Sequence, residues 1–335
     1  MGERTTRSGI GPVGVAHVPV MVAEVVEWLR PRPDARLVDA TVGLGGHATA
    51  LLDAAAGAEL LGVDRDPAAL ARAAERLAPH GARVTLRQAA FADLPAVLAA
   101  HGWDGADGVL LDLGVSSLQL DDPSRGMSFR ADAPLDMRMD PALPRSAADV
   151  VNETSERELA DLLFQLGEER RSRAVARAVV RARPVTTTGA LAAIVARVLG
   201  AGRPGHHPAT RTFQALRIAV NDELGQLDRF LADAWRLLRP GGRLAVIAYH
   251  SLEDRRVKET FRRWAARCLC PPSQPVCTCG WTPVARILTR RPIVPTPAEI
   301  ARNPRARSAR LRVAERLADV GGPRATRSRG VREER

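Results

Sequence analysis

The sequence predicts an α/β protein: an open parallel sheet with helices between its strands, interrupted by a helical insertion. Three observations carry that prediction. Short apolar segments at 37–40, 60–63, 82–86 and 108–111 alternate with Ala- and Leu-rich helical patterns such as 67–77, and strands spaced by helices imply parallel pairing with right-handed crossovers. A glycine-rich turn directly follows the first apolar segment. Past Asp121 the strand pattern disappears into helical segments and returns only at 243–248.

Composition bounds the partners. The chain has 335 residues, enough for one large domain or two, and 45% of them are hydrophobic. With one Tyr and six Phe, its core must be built from Leu, Val and Ala. Lys and Arg outnumber Asp and Glu 49 to 38. That balance points to a polyanion such as nucleic acid, against the plainer reading of a genome that favours Arg. Residues 1–16 lack the apolar core of a signal peptide, and no apolar run is long enough to span a bilayer. The expectation is a cytoplasmic protein with no membrane partner.

After the first strand the chain reads TVGLGGH (41–47). Glycines at 43, 45 and 46 permit a tight turn and close approach of a ligand to a helix N-terminus. The second strand ends in Asp64, nineteen residues beyond Gly45, where an acid can accept both ribose hydroxyls of a nucleoside. The pair predicts a nucleoside cofactor without choosing it, since 43–48 also fits the G-x-G-x-x-A pattern of nicotinamide proteins. The fourth strand delivers Asp112 to its carboxyl end, followed by Ser116, Ser117 and Gln119, and in an open parallel sheet that edge is where ligands sit.

Residues 122–140 read as neither helix nor strand. Helices are predicted at 156–166 and 168–182, the second with Arg173, Arg177 and Arg181 opposite Val175, Val179 and Ala182. A solvated face accounts for that stripe as well as RNA contact does. The break GAGRPGHHP at 200–208 closes an inserted helical domain at 121–207. One long helix is then expected over 210–238, a turn at Gly241-Gly242, and a strand at 243–248 running into Tyr249-His250-Ser251. Ser251 and Asp254 have the spacing of a helix cap, while His250, at the strand's carboxyl end, is expected to face the same cleft as Asp112. All four cysteines lie at 268, 270, 277 and 279. Reduced, loosely ordered thiols are the favoured reading of Cys268, Cys270, Cys277 and Cys279, a structural zinc site the second, and a reducing cytoplasm argues against disulfides. Residues 319–335, arginine-rich and almost without apolar side chains, are expected to be a disordered basic tail.

Several segments occur in order: HVPV (17–20), DATVGLGGH (39–47), DRDP (64–67), DLGVSSLQLDD (112–122), RGMSF (125–129), PLDMRMD (134–140), GEER (167–170), HPATRTFQALRI (207–218), HSLEDR (250–255) and NPRARSARLRVAER (303–316). Together they resemble the ribosomal RNA small subunit methyltransferase H family. The resemblance implies a Rossmann-like S-adenosylmethionine-dependent methyltransferase fold carrying an inserted helical domain. It implies methylation of cytidine N4 in the decoding region of small-subunit ribosomal RNA, with that RNA or the assembled small subunit as partner. The implied layout is a flexible arm at 1–16, the methyltransferase core at 17–120 and 208–318, a helical substrate-recognition domain at 121–207, and the tail at 319–335.

The resemblance also assigns roles by position. Gly45, Gly46 and His47 would cradle the methionine end of S-adenosylmethionine, Asp64 would hold its ribose, and Phe91 would pack near its adenine, with Asp112 and Gln119 completing the pocket. Core packing is the plainer reading of Phe91. Asp112, Ser116 and His250 are the catalytic candidates, with Ser117 behind them and no catalytic metal. Many amino-methyltransferases have D/N-P-P-Y where this chain has Asp112-Leu-Gly-Val, so the carboxylate's role rests on placement alone. Tyr249 stands where the family usually has Phe, which adds a hydroxyl. Two rivals stay open: a ribosome-assembly factor that kept the fold without catalysis, and a nicotinamide-dependent oxidoreductase sharing the glycine turn and Asp64.

Overall fold

The computed structural model describes residues 19–200, 202 and 207–318; the predicted arm at 1–16, the tail at 319–335 and most of the 200–208 break lie outside them. The first half alternates as its periodicity predicts: α1 (Val22–Leu29), β1 (Arg36–Asp39), α2 (Gly46–Ala54), β2 (Glu59–Asp64), α3 (Pro67–Leu77), β3 (Val84–Gln88), α4 (Leu94–His101) and β4 (Ala106–Asp112). The third strand starts two residues later than expected, because a 3-10 segment at Ala78–Arg83 follows α3.

A helical body comes next, with α5 (Ser117–Asp121), α6 (Ala147–Glu153), α7 (Glu156–Gly167), α8 (Ser172–Arg181) and α9 (Thr188–Leu199). The helix expected over 168–182 begins later, because Glu168 takes a left-handed conformation (φ 50°) and terminates α7. The expected long helix over 210–238 is likewise broken. Asp222, also left-handed (φ 48°), separates α10 (Thr210–Asn221) from α11 (Glu223–Asp233), and β5 (Leu238–Ala248) follows a short 3-10 turn. The described residues close with α12 (Ser251–Ala265), β6 (Ala285–Ile287), α13 (Pro297–Arg302) and β7 (Arg310–Arg316).

Among the described residues seven strands form one sheet in the order β3-β2-β1-β4-β5-β7-β6. The first five are parallel, and β7 runs antiparallel to both β5 and β6, so the sheet is mixed rather than wholly parallel. Both faces are covered, by one cluster around Leu61, Val109 and Phe230 and another around Leu37, Leu51 and Leu110. This is why the strands read as continuous apolar runs. The helical body has its own core around Leu135, Leu163, Val179 and Val195. Phe213, Ala215 and Leu216 of α10 belong to that core, so it extends beyond the boundary expected at 207.

The irregular 122–140 stretch is held by side chains instead of a ladder. Arg125 ion-pairs with Asp66 (2.9 Å) and donates to the carbonyls of Arg138 and Met139. Asn221 accepts from the Met139 N–H and donates to the Met137 carbonyl. No helix among the described residues is long and apolar enough to cross a membrane.

Candidate active site

The parallel strands wind outward from β1 and β4 in opposite directions, and the crevice beyond their carboxyl ends is where a ligand can enter between the loops. A cleft of about 390 Å³ opens there, reached by Gly43, Asp64, Phe91, Asp112, Tyr249 and Arg305 among others. Its wall is the 41–47 turn. Gly45 (φ 76°) is the N-cap of α2 and holds a left-handed conformation that side chains other than glycine resist. At Gly46 an added Cβ would sit 2.2 Å from Pro19 Cγ, so the chain before α1 can close on the turn only because no side chain intervenes.

Three carboxylates project from the ends of adjacent strands: Asp39 from β1, Asp64 from β2 and Asp112 from β4. Asp64 accepts from the N–H groups of Gly43 and Asp66, both at 2.9 Å, which aims the carboxylate along the cleft and leaves lone pairs for a further donor. Burial raises its pKa, and those two N–H groups partly offset the shift. Asp112 is fixed from several sides. Its N–H donates to Thr41 Oγ1 (2.7 Å), Tyr249 OH donates to its Oδ1 (2.9 Å), and His47 Nδ1 lies 3.7 Å from its Oδ2. His47 Nε2 is 2.8 Å from the Val20 carbonyl, which can only accept, so Nε2 carries a proton and Nδ1 is the nitrogen turned toward Asp112. Burial raises the Asp112 pKa, while His47 and the Tyr249 hydroxyl pull it back. The Tyr249 phenol is pushed well up by burial and the adjacent carboxylate, so it stays a donor.

Asp39 is 1% exposed; its Oδ1 accepts from the Thr41 N–H, while its Oδ2 is buried without a partner. Burial pushes its pKa up to about 7, and the charges of Asp112 and Asp64 add to the shift. The folded state therefore binds this proton more tightly than the unfolded chain does. That contribution to stability is complete below the unfolded value of 3.8 and is lost as pH rises to about 7, at about 1.4 kcal/mol per unit. Asp64 and Asp112 titrate in the same sense, so the useful quantity is the difference between variant and wild type. Urea unfolding across that range is expected to show Asp39→Asn losing much less stability toward neutral pH than wild type; parallel curves would refute an Asp39 proton held in the fold.

The remaining predicted residues divide. Phe91 lines the cleft and also packs edge-on against Phe230 (centroids 5.8 Å, 89°), so wall and core readings both describe it. Ser116 lines the cleft as the N-cap of α5, accepting from the Gln119 N–H. Gln119 is buried with its amide already engaged, Oε1 accepting from the Ser116 N–H and Nε2 donating to Asp66. The Ser117 side chain is outside the described set.

His250 does not face the cleft as expected. Tyr249 takes that position, because neighbouring residues leaving a strand point to opposite sides. His250 begins α12 with Nε2 3.1 Å from Glu253 Oε1. The cap expected from Ser251 and Asp254 also shifts: Glu253 accepts from the N–H groups of Tyr249 and His250. Asp254 instead pairs with Arg312 and Arg310 on β7.

Sequence reasoning missed three contributors. Asp66 is fully buried and accepts from Gln119 and Arg125, bracing α5 and the 122–140 stretch against β2. The 303–308 segment reaches the cleft through Asn303, Arg305 and Ser308, and Arg305 ion-pairs with Asp121. Arg217 lines the cleft in a bidentate pair with Glu223 (2.8 Å for both bonds). The motifs DRDP, NPRARS and HPATRTFQALRI contain these residues, but no local pattern says that they meet.

Comparison with known proteins identifies the family of this chain. The sequence profile described as the MraW methylase family matches residues 14–317. A ribosomal RNA small subunit methyltransferase H from Thermomicrobium roseum is 52% identical over 96% of this chain and 100% of its own length. The protein of that name from Syntrophobacter fumaroxidans is 53% identical over 91% of this chain and 98% of its own. The one from Geobacter sulfurreducens is 54% identical over 90% and 99%. The match runs unbroken from the glycine turn through the helical body to the segment that closes the cleft, and this chain belongs to the MraW methylase family.

Proposed function

We infer that this protein transfers a methyl group from S-adenosylmethionine to N4 of a cytidine in the decoding region of small-subunit ribosomal RNA, acting in the cytoplasm on that RNA or on the assembled small subunit. The observation that carries the reading is the pair of carboxylates Asp64 and Asp112 lining the cleft beside a glycine turn and an aromatic wall. Those two acceptors suit a ligand with a ribose diol and a cationic sulfonium. They oppose the pyrophosphate that a nicotinamide dinucleotide would bring to the same turn.

Asp64 would accept the ribose hydroxyls, Phe91 would flank the adenine, and the 45–47 turn would hold the methionine end, with Gln119 bracing the wall. The bound cofactor supplies a methyl group on a sulfonium, an electrophile strong enough to need neither metal nor acid. The remaining difficulty is the nucleophile, since the lone pair on cytosine N4 is delocalised into the ring. Asp112, in the cleft wall, would accept an amino hydrogen, orient the lone pair and remove one proton. The Tyr249 hydroxyl holds that carboxylate, with His47 beside it, and Ser116, also in the cleft wall, is the second candidate acceptor. The helical body and the 303–308 segment flank the opening and are the surfaces proposed to meet RNA.

The test is transfer of labelled methyl to small subunits from a strain lacking the gene, followed by nucleoside mass spectrometry. N4-methylcytidine appearing only with active protein is the expected result. Subunit binding without methyl transfer would instead favour a non-catalytic assembly factor.

The arginine stripe of α8 gives a separate expectation. Arg173, Arg177 and Arg181 are exposed, and Arg177 is in a surface pair with Glu156 (3.3 Å). Replacing all three with Gln is expected to lower the slope of log affinity for RNA against log salt by about 2–3, with cofactor affinity unchanged. An unchanged slope would leave the stripe an ordinary solvated face.

A further inference from the structure

Between α12 and β6 the chain makes a long excursion, closed at its neck by the Val284 N–H donating to the Trp264 carbonyl (2.8 Å). No residue from 265 to 283 is buried, and none lies in a helix or strand beyond the end of α12. Val276, near its middle, is 70% exposed. Its apolar anchor is Trp281, near the neck, which packs against the core of the sheet; a segment of this length with so little burial needs something more to offset the entropy of being ordered.

The four cysteines are the candidates, and the fold gathers them. Cys268 Sγ lies 3.4 Å from Cys277 Sγ and 3.7 Å from Cys279 Sγ, Cys277 is 3.5 Å from Cys279, and Cys270 is 4.0 Å from Cys277. All four sulfurs lie within 4.8 Å of one another. A tetrahedron of thiolates around zinc, with Zn–S of about 2.3 Å, has S···S edges of about 3.8 Å, and the four closest separations bracket that length.

Backbone donors are arranged to match. The Leu269 N–H points to Cys279 Sγ (3.3 Å), the Cys270 N–H to Cys268 Sγ (3.3 Å) and the Thr278 N–H to Cys270 Sγ (3.4 Å). N–H groups turned toward sulfur suit metal-bound thiolates, which are strong acceptors, and are largely wasted on neutral thiols, which are weak ones. The two C-x-C pairs thus bring ligands from opposite limbs of the excursion to one point.

We propose that Cys268, Cys270, Cys277 and Cys279 bind one structural zinc ion that staples residues 266–283 between α12 and β6. The sequence alone favours loosely ordered thiols, and the separations of the four sulfurs favour the metal instead. The site lies away from the cleft, none of whose lining residues falls in 266–283, so it is structural and takes no part in methyl transfer. With four protein ligands it has no open position for a substrate.

The test uses the untagged full-length protein purified under reducing conditions. Elemental analysis is expected to find one zinc per chain that survives dialysis against a weak chelator. A mercurial reagent that caps thiols should release it stoichiometrically to a colorimetric zinc dye and make 266–283 susceptible to protease. A Cys270→Ser, Cys277→Ser double variant should retain less than a tenth of an equivalent. Should that variant fail to fold, cobalt(II) reconstitution of the wild-type protein still decides the matter, through the ligand-field and sulfur charge-transfer bands of a tetrahedral tetrathiolate. Wild-type protein with four titratable thiols and no metal would overturn the proposal, as would two disulfides, or iron in place of zinc.

Discussion

Asp112→Asn is expected to lower single-turnover methyl transfer to small subunits by at least about 100-fold at saturating cofactor, the usual loss when a positioned acid–base group is removed. The substitution keeps the shape of the site. The amide oxygen can still accept from Tyr249 OH, so the hydrogen bond that fixes the side chain survives. What is lost is an anionic acceptor for the amino hydrogens and a group able to take a proton.

The pH dependence provides an independent reading of the same residue. Because burial raises the Asp112 pKa, the active, ionised form is lost on acidification at a higher pH than for an ordinary carboxylate. The acid limb of the rate profile should be displaced upward accordingly and vanish in the variant. Tyr249→Phe removes a hydrogen bond that lowers this pKa, so its acid limb should move further up while its plateau rate is largely kept. A near-wild-type rate for Asp112→Asn under these conditions would refute a catalytic carboxylate and turn attention to Ser116.

Asp64→Ala is expected to weaken S-adenosylmethionine binding by about 1.5–3 kcal/mol, the usual worth of hydrogen bonds to a charged group, or roughly 10- to 150-fold in Kd. The ribose loses its acceptor, and the N–H groups of Gly43 and Asp66 lose theirs, which loosens the turn that shapes the pocket. Titration calorimetry on folded protein measures the first effect directly. The two variants should differ in kind: saturating cofactor restores most of the rate to Asp64→Ala and little of it to Asp112→Asn. An unchanged Kd for Asp64→Ala would remove the ribose assignment.

The parts of this protein that could be read in advance are those written within a few neighbouring residues. The apolar runs that became β1, β2 and β4, the glycine turn before α2, and the acids closing two of those strands depend on alternation, on backbone freedom at Gly45, and on where an apolar run stops. These are local properties, and the strand–turn–helix geometry follows from them wherever the segment is placed. The breaks at Glu168 and Asp222 escaped notice because a left-handed conformation at an acidic residue leaves no mark in a helical pattern. Polar contacts engage both residues once the chain is folded: Arg211 donates to the Glu168 carbonyl, Ser251 to the Glu168 carboxylate, and Arg229 pairs with Asp222.

The functional arrangement depends on contacts that no local pattern encodes. Tyr249 meets Asp112 across 137 residues and Arg305 meets Asp121 across 184, because β5 lies beside β4 and the segment entering β7 returns over the cleft. His250 sits behind the cleft wall, beside Glu253, for the same reason: the direction in which β5 enters the sheet decides which of two neighbouring side chains lines the crevice. The four cysteines show the distinction within a single stretch of chain. Their spacing in the sequence is compatible with loose thiols or with a metal, and the separations of their sulfurs exist only once α12 and β6 bring the two limbs together. Sequence periodicity specifies elements, whereas a site is made by the relative placement of elements, which is set by the packing of the whole sheet.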